Sequence, residues 1–185
     1  GLLVALLGAP FILPVIVAVL GLLAVFGQTG VLNRALSPLG VPELQIYGLQ
    51  GVLVAHVFFN LPLATRLILQ GWLAIPAEQF RLAATLGMGR RAMWRCIEWP
   101  MLRRLVPGAF AVIFVICLSS FAVALTLGGG PRATTLELAI YQSMRFDFDL
   151  ARAAVLGVVQ IGLALSAGLI ALRVTSVPVA AKGLD

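Results

Sequence analysis

The chain alternates between long apolar runs and short polar connections. Residues 1–33, 44–65, 105–131 and 153–172 contain no Lys, Arg, Asp or Glu. A helix rises about 1.5 Å per residue, so about 20 residues cross a roughly 30 Å hydrocarbon layer. Each run is that long, and the pattern predicts four membrane-spanning helices near 2–26, 47–69, 105–127 and 150–172. The first run is too long for a leader's apolar region and has no basic start, so it reads as a span. The chain opens at Gly1 inside an apolar run and stops at Asp185 without a recognisable ending. That predicts an all-α, polytopic transmembrane bundle, one membrane domain over residues 1–185, incomplete at both ends.

The connections differ in character. Segment 27–46 gathers Gly27, Gly30, Asn33, Ser37, Pro38, Gly40 and Pro42, the composition of a turn-rich loop. Gly128 to Pro131 reads as a turn where a helix leaves the membrane. Residues 134–146 are helix-like but too short and polar to span, which predicts a helix near the membrane surface, with Leu136, Ile140 and Tyr141 as packing positions. In segment 70–104, Phe80, Ala83, Ala84 and Gly87 fall at i, i+3, i+4 and i+7 on one helical face after Pro76. Gly87 and Gly89 break that helix. Arg90 to Trp99 forms a second helical stretch, which Pro100 ends or kinks. The expectation is an elbow of two short helices between two spans.

Composition narrows the class. Only 11% of residues are charged and 61% are hydrophobic, whereas a soluble domain is about a quarter charged. A water-facing surface cannot be covered so sparsely, and disorder is excluded by the apolar content. The net charge is +6. On such a chain this points to basic loops at a membrane, not to a nucleic-acid groove. Arg66, Arg81, Arg90, Arg91, Arg95, Arg103, Arg104, Arg173 and Lys182 fall on one side of the predicted spans; Arg34, Arg132, Arg145 and Arg152 fall on the other. The richer side is cytoplasmic. Loop 70–104 and the tail are then inside, and loops 27–46 and 128–149 outside. Cys96 and Cys117 have no pairing pattern and read as reduced or buried thiols.

Catalytic machinery is not visible. The Gly128–Gly130 run has no Gly-Lys-Ser/Thr after it, so it is no phosphate loop. Glu137, Asp147 and Asp149 lack ligand spacing around His or Cys, and one histidine cannot build a metal site. The chain does not read as an enzyme and calls for neither cofactor nor metal; any ATP used would be hydrolysed on another chain. His56 and Asn60 lie one turn apart in the second span, before Pro62, which frees the carbonyl of Phe58. Polar groups in lipid are costly and face the bundle interior or a cavity. These two either line a translocation path or are satisfied by hydrogen bonds to a neighbouring helix. Ser119, Ser120 and Gln160 are read the same way, with back-bonding to their own helix as the alternative for the serines. Pro10 and Pro14 read as kinks in the first span. Glu137 and Gln142 either meet a ligand or a docked partner or are simply solvated. The elbow at 76–100 is either a surface helix pair lying on anionic lipid or a docking element for a cytoplasmic partner.

Loop 70–104 resembles the cytoplasmic loop of binding-protein-dependent ABC transporter permeases of the type I importer kind. That loop carries E-A-A-x-x-x-G, nine residues, then I-x-L-P. Here Ile75-Pro76 opens it, and Ala83, Gly87, Ile97 and Pro100 match in spacing. Arg81, Leu82 and Trp99 depart from the pattern, standing at the Glu, first Ala and Leu positions. Further stretches are similar to the thiamine-permease branch: Gly48-Leu-Gln-Gly51, His56 to Pro62, Leu82 to Met88, Ile97 to Arg104, and Leu127 to Thr135 with Glu137 and Ala139 to Gln142. The resemblance implies that residues 76–100 form a coupling helix seated in a groove of a dimeric ATPase, with Pro76, Glu78, Arg81, Ala83, Ala84, Gly87, Ile97 and Pro100 at the contact. It further implies a periplasmic binding protein, a second permease half fused in a longer chain, and the bacterial inner membrane. His56, Asn60, Ser119, Ser120, Glu137, Tyr141 and Gln160 become candidates for the path of thiamine or its phosphates. An iron(III) permease, a secondary transporter and a structural membrane protein are the alternatives. A secondary transporter would normally bury charges at mid-membrane.

Overall fold

A computed structural model describes residues 14–128 and 133–175. The calls for residues 2–13 of the first span, Pro10, Gly129 to Arg132, and the tail with Lys182 lie outside the described residues. The described chain is all-α, with no strand among the described residues. Four helical stretches are long and apolar enough to cross a membrane: Val15–Leu39, Leu49–Leu73, Arg90–Leu118 and Leu150–Val174. This is a multi-pass membrane protein. The backbone divides into two compact units: 1–62 with 116–163, and 63–115 with 164–185.

In the first unit, α1 (Val15–Phe26) begins after Pro14, whose carbonyl accepts from Val17 and Ala18. Pro14 therefore starts this helix instead of kinking it, because its missing N–H costs nothing at a helix entry. The 27–46 connection is folded, not merely turn-rich. It holds α2 (Val31–Leu36) and a 3₁₀ turn at Ser37–Leu39. Asn33, 5% exposed, clamps it. Its Nδ2 donates to the carbonyls of Gly27 (2.9 Å) and Leu44 (3.0 Å), and its Oδ1 accepts from the Leu44 N–H (2.8 Å). One side chain thus engages three backbone groups; the Gly27 carbonyl also accepts from the Gly30 N–H at 2.9 Å, and both Leu44 groups depend on Asn33. Asn33→Ala should lower stability by roughly 2–4 kcal/mol, since each orphaned buried group costs about 1–3 kcal/mol. An unchanged thermal midpoint of the purified permease would refute the clamp.

The chain then enters α3 (Leu49–Leu73), which continues through Pro62. The Gly48 N–H donates to the Leu127 carbonyl at 2.7 Å, tying the helix start to α6 (Phe121–Leu127). At Gly51 a Cβ would run into the Ile46 carbonyl oxygen, so Gly51→Ala should sharply reduce the amount of folded protein in membranes. Normal yield would count against this packing. Val19, Leu22, Ile46, Val52, Ala55, Val123 and Leu127 form the core of this unit, flanked by Phe26 and Phe59. Helix α7 (Leu136–Arg145) is capped by Thr135 Oγ1. Helix α8 (Leu150–Thr175) is capped by Asp149, which accepts from the Arg152 N–H at 2.8 Å.

The second unit contains α4 (Ala77–Thr85) and most of α5 (Arg90–Leu118), with the adjoining ends of α3 and α8. The expected elbow of two short helices is only half present. α4 stands alone, but the Arg90 stretch runs straight on through Pro100 to Leu118. Pro100 neither ends nor breaks it. A proline crowds the carbonyl four residues back and cannot bond it. Here residues Trp94–Glu98 widen into a π-helical turn, and the Trp99 N–H bonds the Trp94 carbonyl. The added residue accommodates the proline without interrupting the helix. The third long helix accordingly differs from the interval 105–127: it starts at Arg90, ends at Leu118, and a break at Ser119–Ser120 separates it from α6. α3 and α5 approach closely at Gly71, where a Cβ would lie 2.6 Å from Leu105 Cδ2, as small residues permit between membrane helices.

Candidate functional site

Two clusters carry the residues singled out in the sequence, one in each unit. In the second unit, α4 is built as a closed, self-capped helix. Pro76 opens it, and its carbonyl accepts from the Gln79 N–H at 3.1 Å. Gly87 closes it. Its φ is +62°, the left-handed conformation that glycine adopts without a Cβ penalty. The Met88 N–H reaches the Ala83 carbonyl at 2.9 Å, and the Gly87 N–H reaches the Ala84 carbonyl at 3.1 Å. This pair of bonds is a Schellman closure.

The faces of α4 do not fall quite where periodicity put them. Ala83 is 1% exposed and turned into the unit. Phe80 is half-buried, its ring 6.5 Å from that of Trp72. Ala84 and Gly87 are exposed, so only half of the small-residue face is available to another molecule. The open side carries Glu78, Arg81, Thr85 and two large apolar side chains, Leu82 at 61% and Leu86 at 75% exposure. Leu82 and Leu86 escaped the periodicity argument because they lie off the Phe80–Gly87 stripe. Ile97 and Pro100 do not share the open side. With Pro76 and Gln79 they line a groove of about 480 Å³ between α4 and α5. The stretch from Gly87 to Pro100 joins α4 to the base of α5.

In the first unit the polar span residues form two groups. Asn60 is buried and donates to the His56 carbonyl at 2.8 Å and to Cys117 Sγ at 3.4 Å. Its bond across helices goes to a cysteine of α5, the helix–helix alternative weighed for this residue. The His56 Nε2 is buried without a hydrogen-bond partner among the described residues. Ser119 is exposed and Ser120 half-buried, both in the break before α6. The second group joins residues far apart in sequence. Gln160 Nε2 on α8 donates to Glu137 Oε2 on α7 at 2.6 Å. One turn beyond Glu137, the Tyr141 ring lies 4.9 Å from Phe121 and 6.0 Å, edge-on, from Phe146. A carboxylate, a carboxamide and an aromatic pair converge there. Phe121 was not foreseen, since an aromatic in an apolar run carries no signal of its own. The other two acids are occupied locally: Asp149 caps α8, and Asp147 lies 3.7 Å from Arg152 in an exposed pair, worth little in water.

No family model matches the chain. It is similar to the thiamine transport system permease protein ThiP of Brucella abortus, 51% identical over 96% of this chain and 33% of the relative. It is 52% identical to the protein of the same name from Escherichia coli, over 89% of this chain and 31% of the relative. A more distant likeness, 29% identity, links 78% of the chain to half of the probable transport system permease protein NifC of Clostridium pasteurianum. The chain spans about a third of the length of the curated thiamine permeases it matches. The resemblance read from the motifs thus extends over nearly the whole chain.

Proposed function

We propose that this chain is the membrane-spanning part of a bacterial ATP-driven importer, forming a section of the translocation path for thiamine or its phosphates. The observation that carries the reading is the similarity, at about half identity over nearly the full chain, to proteins named as thiamine permeases. The chain sits in the inner membrane with loop 70–104 in the cytoplasm. Its partners are a dimeric ATPase, a periplasmic binding protein, and a second permease half fused in the longer polypeptide.

In this reading α4 is the coupling element. Its open side, with Glu78, Arg81, Leu82 and Leu86, lies in a groove of the ATPase, and Ala83 is buried on the side turned away from it. A permease needs contacts that differ between two states, not catalytic groups. When ATP closes the ATPase dimer, α4 is carried with it. Its capped ends and its seat over Ile97 and Pro100 transmit that movement to the base of the third long helix. On the outer side, the Glu137–Gln160 pair and the Phe121–Tyr141 rings receive the substrate. Thiamine is a cation with aromatic rings, and carboxylates and aromatic faces attract cations in a poorly hydrated site.

The test is uptake of labelled thiamine by the full-length permease, reconstituted with its ATPase and binding protein, with and without ATP. ATP-dependent uptake is expected. Assembly with the ATPase but no thiamine uptake would overturn the substrate and leave iron(III) or another small solute. Failure of both would overturn the importer itself.

A further inference from the structure

The base of the third long helix holds a basic and aromatic cluster, none of whose side chains is among those assigned to the ATPase contact. Arg91, Trp94, Arg95 and Trp99 line a shallow cleft of about 480 Å³. Both arginines are exposed, and among the described residues neither is in an ion pair. The nearby acid on the same turn, Glu98, does not line the cleft. The two indole rings lie 6.3 Å apart at 40°.

That arrangement depends on the π-helical turn. In an α-helix, residues five apart diverge by about 140° round the axis, and Trp94 and Trp99 would face different ways. The bond from the Trp99 N–H to the Trp94 carbonyl brings position i+5 back over position i. Pro100 therefore has a consequence beyond helix geometry: it goes with a pair of indoles in a cleft that two arginines also line.

The depth is that of a membrane surface. The charge-free run begins at Leu105, and Trp99 precedes it by about 9 Å of helix rise. The headgroup layer is about 5–8 Å deep on each side, within reach of long side chains from this turn. Tryptophan favours that layer, and juxtamembrane arginine is drawn to anionic lipid.

We propose that this cleft binds the phosphate of an anionic phospholipid headgroup in the cytoplasmic leaflet, with Arg91 and Arg95 on the phosphate and the two indoles against the glycerol and upper acyl region. The proposal rests on the cytoplasmic placement of loop 70–104 and is independent of the transported solute.

The experiment is native mass spectrometry of the full-length permease in detergent, titrated with phosphatidylglycerol or phosphatidylethanolamine. The parent protein should retain phosphatidylglycerol preferentially. Arg91→Gln with Arg95→Gln should weaken that binding by roughly 30-fold, from two lost arginine contacts, and leave phosphatidylethanolamine unchanged. Arg103→Gln with Arg104→Gln, outside the cleft, should retain the preference. Should the first pair not fold, the exposed Arg95→Gln alone should still cost about fivefold. Equal losses in both pairs would reduce the effect to general surface charge and overturn the site. Displacement of the lipid by inorganic phosphate would assign the cleft to a soluble anion instead. Unchanged lipid binding with lost ATPase assembly would assign it to that partner. Either result overturns the proposal.

Discussion

Gly87→Arg is expected to abolish ATP-driven uptake by the full-length permease while leaving its amount in the membrane close to that of the parent. The two halves of this expectation have separate physical origins. Gly87 sits at φ +62°, and a Cβ there would meet nothing within 4 Å. A side chain therefore costs only the left-handed backbone penalty, about 1–2 kcal/mol, and the helical spans are untouched. The loss comes from outside the chain. Gly87 is exposed at the end of the helix that carries Leu82 and Leu86 on its open side. A long cation projecting there keeps α4 from seating and brings an unpaired charge into an interface, a penalty of several kcal/mol. Uptake should fall more than tenfold. Gly87→Ala separates the contributions: it retains the backbone penalty without the bulk and should keep most of the activity. Normal uptake by Gly87→Arg would remove α4 from the coupling role.

The second large effect is expected at Glu137. Glu137→Gln should reduce thiamine uptake roughly tenfold, mainly through a raised KM. The substitution preserves an acceptor oxygen for Gln160, so the contact at 2.6 Å can persist as a neutral hydrogen bond. It removes the charge. Charge-assisted bonds are about twice as strong as neutral ones, and a carboxylate in a poorly hydrated site attracts a cation strongly. A purely structural role for the pair would leave uptake near normal in Glu137→Gln and lower it only in Glu137→Ala, with loss of stability. A KM unchanged in Glu137→Gln would therefore remove this group from the path. Tyr141→Leu supplies a parallel measurement, because it deletes the ring facing Phe121 while preserving apolar volume.

Legibility in the sequence varied with the range of the interaction. The start of α4 at Pro76 and its stop at Gly87 were readable because a proline entry and a left-handed glycine exit are properties of single residues. Pro100 was ambiguous: a missing N–H can end a helix, kink it, or be absorbed by a π-helical turn, and the residue is the same in each case. The inward turn of Ala83 and the outward turn of Leu82 and Leu86 could not be read from a stripe of small residues, since periodicity assigns residues to faces without saying which face is covered. Asn33 was visible only as a turn former. Its clamp on Gly27 and Leu44 depends on the loop folding back on itself.

The sequence by itself determined that the chain crosses a membrane, because partition into lipid is a sum over each helix's own residues and four charge-free runs suffice for it. It also determined the local stops, where one residue's backbone preference decides. Only the tertiary structure decided which polar groups meet. Glu137 and Gln160 lie on different helices, Asn60 finds Cys117 across 57 positions, and the third long helix ends at Leu118 inside a run apolar to Pro131. In each case the deciding energy is a pairing or packing term between distant segments, which no window along the chain contains.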